Sequence, residues 1–383
     1  MATTIVTGVQ YSGIWNISSQ ANAVAAGTWP VGSPQYLYGW GQNNYGQLGI
    51  GSTANASSPN QIGAFTNWLT IASGNYHSIA IKKDNTLWTW GVNDNGQLGL
   101  GNTTNYSSPK QVGALTTWLK IAGGRYHTLA ITTGGALWAW GKNLSGQLGI
   151  GPTGAYSSPK QVGALTAWST VSCGAAFSMA TKTDGTLWAW GANNSGQLGL
   201  GNTTSYNSPK QVGALTTWST VSCAYYYTFA IKTDGTLWSW GYNPQGQLGL
   251  GNTTYRSSPN QVGALTTWAA ITGSQTHAIA IKTDGTLWAW GGNNHGQLGL
   301  GNATNYSSPV QVGALTNWLK VACGIYSSAS AKTDGSVWTW GRGSFGALGL
   351  GNTTSYSSPK QVGALYNWLA IAGGYNFTLA IKG

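Results

Sequence analysis

Glutamate is absent from this chain of 383 residues, and only 6% of its residues are charged. With six aspartates as the whole stock of carboxylates, paired-carboxylate chemistry has little to work with. Five of them, Asp84, Asp184, Asp234, Asp284 and Asp334, recur in one short motif, and only Asp94 falls elsewhere. Cysteine is scarce too: Cys173, Cys223 and Cys323 stand at equivalent places where other copies of the motif carry Ser73, Gly123, Gly273 or Gly373. They read as small core residues, not as a disulfide framework or a metal site. No apolar run reaches membrane-span length, and the opening MATTIVTGVQ has no basic stretch ahead of an apolar one. The expectation is a soluble protein made in the cytoplasm, which leaves a cell by lysis or on a particle if it works outside one.

What is abundant is glycine, tryptophan and tyrosine: 58, 22 and 19 residues. Lysine and arginine outnumber aspartate by 17 to 6, a net +11. The lysines are spaced and not clustered, so nucleic acid is not the expected partner; a polyanion-binding rim is the alternative. Lys110, Lys160, Lys210 and Lys360 recur on SPKQVGAL, where they would guard an outer edge strand. Lys182, Lys232, Lys282, Lys332 and Lys382 precede the recurring aspartates and are expected to be solvated.

Trp-Gly recurs at Trp40, Trp90, Trp140, Trp190, Trp240, Trp290 and Trp340, a strict period of fifty. Such a period marks one supersecondary unit stacked on copies of itself. Within a unit, Thr217–Cys223, Tyr227–Thr233, Thr236–Gly241 and Ser258–Leu265 read as four short strands. Asp234-Gly235 is the hairpin signal between the second and third, with both central residues expected at positive φ. Four antiparallel strands per fifty residues is the arithmetic of a propeller blade. Residues 34–383 make seven such periods, and the last hairpin lacks a partner strand that QYLYGW, Gln35 to Trp40, can supply. The fold expected is therefore all-β: a seven-bladed β-propeller of four-stranded antiparallel blades, closed by the N-terminal strand.

Other motifs have structural readings. The recurring GQLGLG, as at Gly246, lacks the lysine and helix of a phosphate loop, so its glycines are expected to make tight turns while Leu248 packs between blades. His77, His127 and His277 share a register with Phe177, Tyr227, Ser327 and Phe377, which points to packing or hydrogen bonding and not imidazole catalysis. The tryptophans fall into registers represented by Trp40, Trp68 and Trp88, leaving only Trp15 and Trp29 outside; packing between blades is preferred to sugar or base platforms. No catalytic residue, metal or cofactor is expected.

The unit LWAWGxNxxGQLGLG, followed by SSPxQVGAL and IAGGxxHTLAIKTDG, resembles the regulator of chromosome condensation repeat family over residues 34–383. The resemblance implies a seven-bladed propeller. The best known member is a chromatin-bound exchange factor for a small GTPase, while others inhibit enzymes or serve as interaction modules. An exchange factor is expected to use charged, repeat-specific residues and basic tails, and this chain departs from that with near-uniform repeats and no glutamate. Fold transfers between relatives more readily than activity.

Two windows vary between copies. One runs GNYH (Gly74–His77), GRYH, GAAF, AYYY, SQTH, GIYS and GYNF; the other follows Trp-Gly and runs QNNY, VNDN, KNLS, ANNS, YNPQ, GNNH and RGSF. In a meander both connections emerge at one end of the blade, so both are expected on one exposed face. The candidate binding residues there are Tyr76, Arg125, Tyr126, Tyr225, Tyr226, Tyr242, His295, Tyr326, Arg342, Phe345 and Tyr375. Drift after duplication is the alternative account of the variation.

Residues 1–33 form a separate docking or anchoring extension, with Tyr11, Ile14, Trp15 and Trp29 as candidate anchors. VQYSGIWNISSQANAVAAGTWP resembles leader segments of tailed-phage structural and tail-associated proteins. That resemblance implies a virion component: other virion proteins bind residues 1–33, and the loop face meets a host-surface glycan or protein. The expectation is thus a non-enzymatic structural or adhesion module of a phage particle, alone or as a homo-oligomer. The alternatives are a cytoplasmic protein-interaction propeller, exchange-factor-like or inhibitor-like, and a polyanion-binding one.

Overall fold

The computed structural model describes residues 33–383, and Gln35–Gly383 forms one compact unit. Twenty-eight strands, β1 to β28 in chain order, form seven four-stranded antiparallel sheets, which makes the described unit a seven-bladed β-propeller. One blade shows the pattern: β3 (Trp68–Ser73), β4 (His77–Lys82), β5 (Leu87–Gly91) and β6 (Tyr106–Gln111), paired in that order. The register of β4 on β5 is regular, from His77 opposite Gly91 to Ile81 opposite Leu87, whereas β3 and β6 each carry an irregularity. β3 and its counterparts line a central cavity of about 300 Å³, so they are the innermost strands. β6 and its counterparts are outermost, and there Lys110, Lys160, Lys210 and Lys360 are exposed beside prolines such as Pro109, as an edge strand requires.

The closing sheet is shared by the two ends of the described chain. β1 (Tyr36–Gly41) pairs with β28 (Phe377–Lys382), with Tyr36 opposite Lys382 and Gly41 opposite Phe377. β2 (Ala56–Gln61) and β27 (Trp368–Gly373) complete it in the order β2-β1-β28-β27. Two strands come from each side of the closure, one more from the first repeat than QYLYGW alone would supply. No lengthwise gap is left in the ring.

The core lies between blades. In one junction Phe229, Ile231, Leu237, Leu248 and Val262 pack on Trp268, Ala280 and Trp290 of the next sheet. Burying rings of this size supplies about 1.5–3 kcal/mol each. The glycine loop latches the two sheets. Trp290 donates its indole N–H to the Gln247 carbonyl at 3.0 Å. The Asn243 side chain holds that loop, accepting from Leu248 N at 2.9 Å and donating to Asn252 O at 2.9 Å. Gly249, at φ +74°, brings its backbone so close to Trp290 that a Cβ would stand 2.8 Å from the indole nitrogen. The loop recurs seven times because there are seven junctions to latch. At the closing junction Gly343 and Ala347 replace the asparagine and glutamine, a 3₁₀ turn forms at Ser344–Gly346, and Trp40 alone of its register lacks an indole acceptor among the described residues.

Two expectations need correction. The Asp-Gly turn is a three-residue loop with only its glycine at positive φ, Gly235 at 77°, because Gly235 N bonds back to Lys232 O and Lys232 N to Thr236 O. Asp234 stays in ordinary conformation and accepts from Thr236 N and Oγ1 at 2.9 and 2.7 Å, while Trp238 donates to the same hydroxyl. Nor are the preceding lysines solvated. Lys232 Nζ lies 3.8 Å from the Trp238 ring and 5.1 Å from that of Trp218, and Lys182, Lys282 and Lys332 repeat the arrangement. Lys232 faces Trp218 directly in the strand register, so its stem and charge rest on aromatic faces. Lys382 is half-buried.

Candidate functional site

His77, His127 and His277 are fully buried and belong to the ring, not to a site. His77 Nε2 lies 2.9 Å from Thr128 Oγ1 on the next blade, and that hydroxyl already donates to Gln97 O at 2.8 Å. The imidazole must therefore donate from Nε2 and leave Nδ1 unprotonated. His127 and His277 repeat this with Ser178 and Ser328, and Ser274 adds a bond to His277 Nδ1 at 2.8 Å. Burial holds all three pKa values down at about 3. The thiols are equally inert: Cys173 and Cys323 are buried, Cys223 half-buried, and burial lifts the Cys223 thiol to about 12. Among the described residues no cluster of histidine, cysteine or aspartate could hold a metal ion. The turn aspartates are tied to their own threonines or serine, whose hydrogen bonds keep them below the ordinary carboxylate range.

The variable windows lie together at the other end from those turns. The first window is a tight link in which Gly74 N bonds to His77 O at 2.9 Å; the first middle residue of most links, such as Asn75, Tyr225 and Tyr375, lines the cavity. Neighbouring links are tied in sequence, Asn75 N to Gly124 O, Ala175 N to Tyr225 O and Tyr375 N to Asn75 O. The second window rises beside the first. The pairings Tyr45 with Tyr76, Tyr226 with Tyr242, and His295 with Tyr326, at 5.7, 5.8 and 5.1 Å, join the two.

Most of the predicted residues fall into one array. Tyr76 stacks on Tyr375 at 5.1 Å and on Tyr126 at 6.5 Å. Arg125 then bridges, its Cζ 4.9 Å from the Tyr126 ring and 5.9 Å from the Tyr225 ring. Tyr225 meets Tyr226 at 4.6 Å, Tyr226 meets Tyr242, and Tyr242 meets Tyr255 at 4.9 Å. A second, smaller group holds Tyr326, His295 and Arg342, with the guanidinium 5.7 Å from the Tyr326 ring. Phe345 is exposed at φ 63° and makes no aromatic pair among the described residues. The array is less open than expected: Tyr76, Arg125, Tyr126, Tyr225, Tyr226, Tyr242, Tyr326, Arg342 and Tyr375 are half-buried, because rings of adjacent blades cover one another. Burial lifts the Tyr76 and Tyr225 phenols to about 12, with Arg125 acting in the opposite direction.

Tyr45, Asn75, Lys142 and Tyr255 join this site without having been singled out from sequence. The first three stand inside the variable windows, where departure from the repeat was the available signal. Tyr255 lies ten residues beyond its window, at a register held by Asn105, Ser205 and Asn305 elsewhere, and was hidden by distance along the chain. Tyr11, Ile14, Trp15 and Trp29 lie outside the described residues.

Comparison with known proteins agrees with this architecture. The family model for the RCC1-like domain matches residues 37–380. Among solved structures, Prp20p from Saccharomyces cerevisiae superimposes with a TM-score of 0.83 at 20% identity, over 91% of each chain. Human WBSCR16 gives 0.82 at 20% identity, over 91% of this chain and 98% of that one. Yeast RCC1 (Prp20) bound to Kap60 gives 0.82 at 19% identity, over 99% and 96%. At these identities the likeness is one of fold. No match to the chain was found among curated proteins. None of the comparisons supports the likeness of residues 1–33 to phage leader segments. With a family match that spans most of its length and seven four-stranded blades closed into a ring, the chain belongs to the RCC1-like domain family.

Proposed function

We propose that this chain is a non-catalytic protein-interaction propeller that meets its partner through the loop face. The observation that carries the proposal is the gathering of non-repeating tyrosine, arginine and histidine side chains at one end of an otherwise uniform ring. Tyrosine and arginine are the residues that concentrate binding energy at protein interfaces. The fold neighbours support the same reading: Prp20p has been crystallised with attention to its binding of Gsp1p and histones, and with Kap60 bound. The cytoplasmic interaction module thus takes precedence over the particle-borne adhesin. Residues 1–33 keep a docking role in this proposal, alongside the loop face.

Affinity capture from a lysate of the source organism, quantified by mass spectrometry, tests it. Proteins retained by the native chain should be lost by a Tyr226→Ala/Tyr242→Ala/Arg342→Ala variant and kept by Leu115→Ser/Leu265→Ser, which alters exposed leucines at the opposite end. The same captured set from all three would refute the loop face. A chain lacking residues 1–33 that captures an unchanged set would refute their docking role.

A further inference from the structure

Within the array Arg125 and Asn75 are unusual. The Arg125 Nε is enclosed yet has no hydrogen-bond partner among the described residues, and the same holds for the Asn75 side-chain nitrogen. The two residues are adjacent, since Asn75 N donates to the carbonyl of Gly124, next to Arg125, at 3.3 Å. The backbone of Asn75 is otherwise used, its carbonyl accepting from Tyr375 N at 3.1 Å, so the side-chain amide is the free group. An enclosed donor without an acceptor costs about 1–3 kcal/mol; among the other enclosed donors of this kind, the indoles of Trp68 and its counterparts lie within the blades, whereas Arg125 and Asn75 stand on the loop face.

The surroundings define the missing acceptor. The ionisable groups acting on Arg125 are the phenols of Tyr225, Tyr126 and Tyr76. Those of Tyr76 and Tyr225 stay protonated through the ordinary pH range and add donors, not charge. Lys142 Nζ lies 5.4 Å from the nearer ring, Tyr126. The face as a whole carries Arg125, Lys142, Arg256 and Arg342 against Asp94, while the other five aspartates sit in the turns at the opposite end. A planar guanidinium with one amide beside it matches the two oxygens and single charge of a carboxylate. A nucleic-acid backbone needs a line of cations, and Arg256 and Arg342 belong to other sheets.

We infer that Arg125 and Asn75, walled by Tyr76, Tyr126 and Tyr225, form a socket on the loop face, beside the cavity that Asn75 and Tyr225 line, for a carboxylate carried by an acidic side chain of the partner protein. This rests on the protein-interaction reading and names the chemistry of the partner. Isothermal calorimetry on the full chain tests it with four probes: capped hexaglutamate, capped hexaglutamine, inorganic phosphate and a thymidine dodecanucleotide. Hexaglutamate should bind and hexaglutamine should not. Arg125→Gln should weaken hexaglutamate roughly tenfold or more, the loss of one charged hydrogen bond. Lys210→Gln removes the same charge from the exposed outer strand and should change nothing. Arg125→Lys, which keeps the charge without the fork, should fall between Arg125→Gln and the native chain. The inference is overturned if hexaglutamate fails to bind, if hexaglutamine binds equally, if Arg125→Gln behaves like Lys210→Gln, or if phosphate or the oligonucleotide binds in preference. Because the capture experiment leaves Arg125 intact, failure here alongside success there removes the carboxylate socket and keeps the loop face.

Discussion

Replacing the three buried histidines should make the ring resistant to mild acid. His77, His127 and His277 sit fully enclosed at blade junctions with pKa values near 3, whereas an unfolded chain protonates its imidazoles near 6.5. As pH falls through 6.5 the unfolded state takes up protons that the folded state refuses. Stability that is complete above about pH 6.5 is therefore lost progressively towards pH 3. At pH 5 the linkage amounts to about 2 kcal/mol for each histidine, or about 6 kcal/mol for the three together. This figure depends little on the folded pKa as long as it stays well below 5. Phenylalanine already fills the register at Phe177 and Phe377, and Thr228 opposite Phe177 still donates to Gln197 O at 2.9 Å, so a His77→Phe/His127→Phe/His277→Phe variant follows a native precedent. Urea unfolding followed by tryptophan fluorescence at pH 7.5 and pH 5.0 measures the loss in both proteins. The native chain should lose about 6 kcal/mol more than the variant over that interval. The turn aspartates are held below the ordinary carboxylate range, so their acid sensitivity falls below this window. His295 is exposed and present in both proteins, so it cancels. Equal losses in the two proteins would refute the assignment of buried, neutral imidazoles.

The latch predicts a contrast between two glycines at positive φ. Gly249→Ala, which drives a Cβ against Trp290, should cost about 2–4 kcal/mol, and Gly263→Ala, which meets open space, only about 1 kcal/mol; equal shifts in urea midpoint would contradict the latch. Lys282→Ala should lower stability by about 1–2 kcal/mol through loss of the cation over Trp288 at 3.5 Å, with Lys210→Ala within about 0.5 kcal/mol of the native chain. Thermal scans of the two variants would check this, and identical melting would return Lys282 to the solvent. Deleting residues 35–61 removes β1 and β2 and bares one side of β28, so light scattering should show association at concentrations where the full chain stays monodisperse.

The strands were legible because the chain repeats its own signals. Trp-Gly every fifty residues, with an aspartate and a glycine at a fixed offset, determines four strands and their order without any long-range information. What escaped notice were features set by register. Lys232 faces Trp218 across a strand pair, but that follows only once the turn is known to hold three residues and not two. The site was legible as a face and not as a cluster. Variation among copies marked Arg125 and Tyr225 separately, yet they belong to sheets two apart, and only the narrow cavity mouth brings a guanidinium and that ring within 5.9 Å. Burial of the site rings has the same cause: Tyr76 is shielded by Tyr126, fifty residues away, and by Tyr375, from the far end of the described chain.

The shared closing sheet has a consequence for the order of folding. Six sheets draw all their strands from within about one period of the chain and can form as synthesis proceeds. The seventh must bring Tyr36–Gln61 to Trp368–Lys382, at a loop-closure cost of about 5 kcal/mol, so it forms last. Until then the β1–β2 hairpin waits without β28. Interrupted synthesis anywhere before β27 leaves the ring unsealed, so the molecule reports its own completeness before its loop face is held in a fixed circle.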